Sequence, residues 1–269
     1  MRRASICKLF CIVSVFAPIL ASAVSVRAQA HRYDHMHLAA ADQAKAVEWY
    51  VKNLGARPGD MPDRVLIGRT IFAFNKRDGS PPSAGGAIDH IGFSYPNIDA
   101  KVKELEAAGA KVLTPPRDVP NLFRIAFVED PFGIKIELVQ DPDTPGFHHI
   151  HLRVPDPEAT LKWYFDTFGG QRTKLKGQLD ALKFINPDVW LLAQKGTDAL
   201  PSAGRAIDHI GWTTADTDAQ IADLKAKGVV KVSTEPRMVR HLKVALFDDP
   251  AGVRVEIVQN RTEDELKPR

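Results

Sequence analysis

The stretch AIDHIGF (Ala87–Phe93) recurs as AIDHIGW (Ala206–Trp212), and each copy is followed by a near-copy of a second phrase. VEDPFGIKIELVQ occupies Val128–Gln140, and FDDPAGVRVEIVQ occupies Phe247–Gln259. The His of the first phrase and the Glu of the second keep one spacing, 137 − 90 = 47 and 256 − 209 = 47. An earlier pair, DHMHLAAADQAKAVEWYVKNLGA from Asp34 and HHIHLRVPDPEATLKWYFDTFGG from His148, aligns at a constant offset of 114. It sets His35 against His149, His37 against His151, Asp42 against Asp156 and Trp49-Tyr50 against Trp163-Tyr164. So many rare residues matching without gaps mark a duplication. The second half is a diverged copy of the first.

Each half divides again. HMHLAA alternates as a strand does, Asp42 is placed to cap the helix QAKAVEWYVKNL, and Gly55 to end it. VLIGRT and IFAFNKR read as strands. HIGFSY is the next strand, Asn97 or Asp99 opens the helix AKVKELEAAG, and FRIAFVED and IKIELVQ follow as strands. The unit is β-α-β-β-β, written four times, which puts the chain in the α+β class. QDPDTPG (Gln140–Gly146) is a Pro/Gly/Asp linker that separates a first domain, 31–141, from a second, 146–260. The closing RTEDELKPR, residues 261–269, is charged, lacks apolar periodicity and reads as a frayed tail.

Of the 269 residues, 44% are hydrophobic and 26% charged, as expected of a folded domain pair. Residues 1–30 differ from the rest. A basic MRR start, the apolar run LFCIVSVFAPIL and the small residues of AQA describe a secretory signal peptide cut after Ala30, or after ASA at Ala23. The run is short for a membrane span and Pro18 interrupts it. Both cysteines, Cys7 and Cys11, lie inside the signal, so the exported chain would hold no disulfide. Four of the 36 basic residues leave with it, and 36 − 4 = 32 then stand against 33 acids. That balance gives no reason to expect a nucleic-acid or membrane partner. The expected location is secreted or periplasmic.

Residues two apart on a strand share a face. In GIKIELVQ, Ile134, Ile136 and Leu138 oppose Glu137; in VRVEIVQ, Val253, Val255 and Ile257 oppose Glu256. Ile91 and Phe93 oppose His90, Gly92 and Ser94, while His209, Gly211 and Thr213 share a face. Met36 and Leu38 oppose His35 and His37. With the apolar faces packed on helices, the other faces would line cups with polar walls. Two imidazoles and a carboxylate on neighbouring strands make a facial metal triad with positions left open for substrate, water or dioxygen. The candidate ligands are His35, His90 and Glu137 in one half and His149, His209 and Glu256 in the other. His to His is 90 − 35 = 55 and 209 − 149 = 60.

His37 and His151, two residues on and on the same face, are candidate general acid–base groups or further ligands. Arg153 could hold an anionic substrate group. His31, at the new N-terminus after cleavage, reads as incidental. The Trp-Tyr pairs sit at helix spacing and read as core anchors.

These phrases resemble the vicinal oxygen chelate superfamily, which includes glyoxalase I, extradiol dioxygenases and fosfomycin-resistance proteins. The resemblance covers most of 33–260, and IAFVEDPFGIKIEL is especially similar to the end of a bacterial glyoxalase I. It implies two domains, each a cup-shaped, incomplete β-barrel, with the first-strand ligand on His35 and His149, the second on His90 and His209, and the last-strand Glu on Glu137 and Glu256. It also implies a divalent cation (Fe, Mn, Zn or Ni) chelating vicinal oxygens of a small substrate.

Two departures bear on chemistry. Proteins resembling glyoxalase I take a fourth ligand, a Glu, from the last strand of the first module, but RTIFAFNKR and DVWLLAQKG hold no acid inside the strand. Extradiol dioxygenases carry an acid–base Tyr where this chain has Phe127 and Leu246, and their upstream His has only His241 near it, in one half. The expectation is an exported metal-dependent lyase or isomerase of glyoxalase type. The alternatives are an extradiol-type Fe(II) dioxygenase and a non-catalytic binding or resistance protein. Pairing of modules in order would group His35 with His90 and Glu137; exchanged pairing would group His35 with His209 and Glu256, and His149 with His90 and Glu137. Either a monomer or a homodimer is compatible with this plan.

Overall fold

A computed structural model describes residues 31–228 and 230–267. The expected export signal, with its cleavage point after Ala30, lies outside them. The first module runs β1 (Tyr33–Ala40), α1 (Gln43–Leu54), β2 (Arg57–Pro58), β3 (Arg64–Ile67) and β4 (Thr70–Lys76). The second runs β5 (Ile88–Ser94), α2 (Ile98–Ala107), β6 (Lys111–Asp118), β7 (Arg124–Glu129) and β8 (Lys135–Val139). The third runs β9 (Gly146–Val154), α3 (Pro157–Phe168), β10 (Gln171–Leu175), β11 (Leu179–Phe184) and β12 (Val189–Lys195). The fourth runs β13 (Ile207–Thr213), α4 (Thr217–Ala226), β14 (Lys231–Val239), β15 (Leu242–Asp248) and β16 (Arg254–Gln259), and a 3-10 turn at Asp264–Leu266 follows.

The helices start where the capping residues stand. The Asp42 side chain accepts from Lys45 N, Asp156 from Ala159 N and Asp216 from Ala219 N; of the two candidates before α2 it is Asn97 that accepts, from Ala100 N. Each cap satisfies a first-turn donor that would otherwise have no partner. Gly55 ends α1 at φ 71°, a left-handed conformation that costs glycine nothing.

Two open eight-stranded sheets result, and neither follows the halves of the sequence. One has the order β14-β15-β16-β13-β1-β4-β3-β2, joining the fourth module to the first; the other is β10-β11-β12-β9-β5-β8-β7-β6, joining the third to the second. The exchanged pairing holds. Its seams are antiparallel, β1 with β13 and β5 with β9. We call the His-bearing face of the first sheet cup 1 and that of the second cup 2.

The opposite faces share one core. Met36, Leu38, Ile91, Ile136, Leu138, Ile210, Val255 and Ile257 are fully buried, as alternation requires. Tyr33 and Phe72 from the first sheet meet Phe147 of the second at ring separations of 6.4 and 5.0 Å, and Tyr50 and Tyr164 are buried in the same core. Because each sequence half contributes a module to each sheet, neither half of one chain supplies a complete sheet.

The frayed tail expected at 261–269 is not what forms. Through residue 267 the chain is packed: Arg261, Glu265 and Leu266 are buried. Leu266 sits on Leu66, Ile71 and Ala73, and Glu265 accepts from Thr262 N, from Arg261 at 2.8 Å and from His241 at 3.2 Å. A single Leu among charges gives no periodicity to read, yet a single Leu fills a gap on a sheet face. Residues 268–269 lie outside the described part.

Candidate metal centres

The pairing brings together His35, His37, His209 and Glu256 in cup 1, and His90, Glu137, His149 and His151 in cup 2, each set with ligand atoms within 4.8 Å of one another. All eight sequence candidates thus fall into two clusters of three imidazoles and one carboxylate. The in-order grouping of His35 with His90 and Glu137 does not occur. The absence of an acid on β4 and β12 follows the sequence; the fourth donor comes instead from β1 or β9, two residues beyond the first. Across from His35 and His149, β4 and β12 present Ile71 and Trp190.

The repeated glycine now has a reason. Gly92 is paired with His149 and Gly211 with His35 across the two seams. A Cβ at Gly92 would stand 2.1 Å from His149 Cε1, and one at Gly211 would stand 2.1 Å from His35 Cε1. Each imidazole lies flat over the glycine of the opposite strand, the close approach that only glycine permits.

In cup 1, His209 Nε2 lies 3.0 Å from Glu256 Oε2 and His35 Nε2 lies 3.6 Å from it. Asp34 accepts from His35 Nδ1 at 3.0 Å, and Asp208 accepts from His209 Nδ1 at 2.7 Å. Asn75 accepts from His37 Nδ1 at 2.9 Å, and the His37 ring stacks on His209 at 4.3 Å. Carboxylate or amide oxygens on each Nδ1 fix the rings and leave Nε2 to point inward, the support that metal-ligating histidines usually have.

Cup 2 repeats the plan with one change. His90 Nε2 is 3.0 Å from Glu137 Oε2, and Asp89 accepts from His90 Nδ1 at 2.6 Å. His149 Nε2 is 3.1 Å from the same Glu oxygen, off-axis for a hydrogen bond. Where cup 1 has Asp34, cup 2 has His148, whose Nδ1 lies 2.8 Å from His149 Nδ1 and whose Nε2 donates to Asp141 at 3.1 Å. The two Nδ1 atoms share one proton between them, and His148 Nε2–H points to Asp141. Lys176 holds Asp141 at 2.7 Å.

Burial pulls the His35, His90 and His209 imidazoles down, but hydrogen bonds to the flanking carboxylates override it and leave all three above the ordinary imidazole range. Burial alone pushes Glu137 and Glu256 up, and the two imidazoles beside each bring them well below the usual carboxylate range. Burial, with like charge from neighbouring imidazoles, lowers His37 to about 3 and holds His151 well below the ordinary imidazole range. Burial also dominates His149, at about 4.

The donor set fits a divalent cation. His35 Nε2 and His149 Nε2 are buried without hydrogen-bond partners, each a desolvation cost of about 1–3 kcal/mol that a bound cation would remove. Three imidazoles and a carboxylate suit Fe, Zn or Ni, and leave the remaining positions of an octahedral ion open.

Arg153 bonds to Asp198 at 2.6 Å, and His31 Nδ1 lies 2.9 Å from Thr213 O. Phe127 and Leu246 stand beside Glu137 and Glu256 in register, presenting no hydroxyl to either cluster. The His148 relay was missed in the sequence, although the one visible difference between DHMH and HHIH marks it.

Beside cup 2 a cavity of about 880 Å³ opens, lined by His151, Leu192, Arg172, Lys174, Glu158 and Asp180 among others. The sequence model of the Glyoxalase/Bleomycin resistance protein/Dioxygenase superfamily matches residues 32–138 and 146–257. The chain belongs to this superfamily. Over 87 residues, 32% of its length, it is 34% identical to a probable chloroplastic lactoylglutathione lyase of Arabidopsis thaliana; the match spans 25% of that relative. Among solved structures, glyoxalase I from Zea mays superposes with a TM-score of 0.67 at 21% identity, covering 86% of this chain and 92% of the maize one. A candidate dioxygenase from Bacillus subtilis superposes with a TM-score of 0.61 at 17% identity, covering 87% and 86%. At such identities the likeness to both structures is one of fold. Membership explains the two clusters as the superfamily's cups; it does not choose between its chemistries.

Proposed function

We propose that the chain is an exported, divalent-metal-dependent lyase or isomerase of glyoxalase type, acting on a small substrate with vicinal oxygens in cup 2. The observation that carries this reading is the juxtaposition of the His90, Glu137, His149 and His151 cluster with the adjoining 880 Å³ cavity. Curated relatives that are lactoylglutathione lyases favour the lyase within the superfamily, though this chain spans only 25% and 31% of their lengths. A bound divalent ion would supply Lewis acidity toward two adjacent substrate oxygens.

The chain's own residues do the rest. His90, His149 and Glu137 hold the ion, with Asp89 and the His148–Asp141 pair fixing the two rings. His151, whose Nδ1 has no partner, borders the cavity and is the group placed to take a proton from substrate carbon and return it to the neighbouring carbon. In cup 1 the matching nitrogen of His37 is occupied by Asn75, which leaves that ring less free to move a proton. Export rests on residues 1–30 and argues for an extracytoplasmic carbonyl substrate rather than a cytoplasmic thiol adduct. Among the described residues no helix is long and apolar enough to cross a membrane. One chain already brings both halves together, so a monomer suffices.

A second reading, ring-opening dioxygenation at Fe(II), is favoured by the lack of a second carboxylate in either cup. The test is metal analysis and turnover on protein purified anaerobically and reloaded with Fe, Mn, Zn or Ni. Isomerisation of a hydrated 2-oxoaldehyde to its 2-hydroxy acid without oxygen uptake, lost in His151→Gln at unchanged metal content, is the expected result. Oxygen uptake with a catechol would move the assignment to the dioxygenase. Metal-bound protein inert with both would leave a binding protein.

A further inference from the structure

The aromatic group around α1 is only half repeated around α3. Trp49 and Tyr50 return as Trp163 and Tyr164, but Phe74 returns as Ala193, and Phe132, on the turn after β7, returns as Ala251. In the first half these rings form one set. Phe132 stands edge-on to Trp49 at a ring separation of 6.3 Å and lies 6.5 Å from Phe74, which in turn stands 5.0 Å from Tyr50. Beside Trp163 both phenyl rings are missing. Phe247, where the first half has Val128, returns one ring to the core side of Trp163, fully buried and 6.3 Å away. The other side stays open.

There a cavity of about 300 Å³ lies between α3 and the turn at Asp249–Ala251, lined by Trp163, Ala159, Thr160, Pro155, Pro250 and Ala251. Asp156 and Asp249 complete the lining, and its polar groups are engaged. Thr160 Oγ1 donates to Asp156 O at 2.7 Å, and Asp156 Oδ1 accepts from Ala159 N. Asp249 Oδ1 accepts from Ala251 N and Val253 N, both at 2.8 Å, and the same carboxyl group interacts with the Tyr164 hydroxyl. What faces the cavity is mainly indole, methyl and proline ring. Apolar cavities of roughly 150 Å³ stay dry and take up benzene. The first half shows what fits: a phenyl ring set edge-on to the indole, so that the positive edge of one ring meets the negative face of the other.

We propose that this crevice is a further binding site, for a small neutral molecule carrying one aromatic ring, which takes beside Trp163 the place that Phe132 fills beside Trp49. No residue of the two histidine clusters lines it, so the proposal stands without a metal.

The test uses the full chain labelled with 5-fluorotryptophan and titrated with benzyl alcohol, the Trp163 fluorine resonance being identified through Trp163→Phe. Benzyl alcohol should shift that resonance saturably and leave the Trp49 resonance in place. Ala251→Phe, which restores the ring of the other half, should weaken binding by about tenfold or more by occupying the same volume. Ala251→Leu should weaken it several-fold, and decides the matter if the larger substitution does not fold. Cyclohexylmethanol should bind several-fold more weakly than benzyl alcohol, because it loses the edge-to-face contact. A shift that does not saturate, or one that persists unweakened in the folded Ala251 variants, would overturn the site. Equal binding of the two alcohols would overturn the aromatic class. Saturation by N-acetylphenylalaninamide but not by benzyl alcohol would hand the crevice to a partner's side chain and overturn the small-molecule assignment.

Discussion

At the scale of single residues, the two cups are alike in ligands and unlike in protons. His35 and His209 in cup 1 and His90 in cup 2 are raised by their carboxylate partners, whereas burial holds His149 at about 4. An imidazole binds metal only after losing the proton on the ligating nitrogen. A raised value means that proton is kept to higher pH. Affinity should therefore fall with acidification in both cups, more steeply in cup 1 with two raised ligands against one in cup 2, and cup 1 should release more protons on binding near neutrality. Calorimetric titration of single-cup proteins, His149→Ala leaving cup 1 and His35→Ala leaving cup 2, in buffers of different ionisation enthalpy would read this; equal release from both would contradict it. Burial is the main cause, and His148 standing where cup 1 has an aspartate adds like-charge repulsion in place of attraction.

At the scale of elements, the seam strands decide where the ligands stand. β5 and β13 contribute a histidine, and two residues on a glycine over which the facing strand's histidine lies. A methyl group 2.1 Å from a ring atom requires the ring or the strand to move, and overpacking of this kind costs about 1–3 kcal/mol. Gly92→Ala should thus displace His149 and lower the metal content from about two ions per chain toward about one, given the two clusters, with Gly211→Ala acting likewise through His35. Elemental analysis of folded protein checks it; full occupancy with unaltered affinity would mean that the glycines serve something else. The closing turn at Asp264–Leu266 shows the opposite case, an element invisible to periodicity because one leucine and several ion pairs hold it.

At the scale of the molecule, each sheet needs a module from each half. Residues 31–141 alone contain β1 and β5 but neither strand's seam partner, β13 or β9, so a monomer of that half would leave both seams open and much of the shared core exposed. Expressed alone, each half should associate, pairing module one of one copy with module two of another, and metal binding should appear only in the dimer. Sedimentation with metal analysis tests this. A monomeric half that binds metal would show that in-order pairing is accessible after all. The cooperative unit is the whole described chain rather than either sequence repeat.

The sequence by itself determined the local structure and the chemistry. Strand parity placed His35, His37, His90, His149, His151, His209 and both glutamates on one kind of face, a cap at Asp42 and one at Asn97 or Asp99 started helices, and the duplication showed that everything occurs twice. These are properties of neighbours in the chain, read from periods of two and of about 3.6 residues. Tertiary structure decided which histidines meet, because the two pairings bury similar apolar faces and only the path of the chain between modules distinguishes them. It also decided that His148 supports His149 and that Leu266 packs in one cluster with Leu66, Ile71 and Ala73. Both depend on partners far away in sequence, and burial of a few atoms, not a repeating pattern, fixes them.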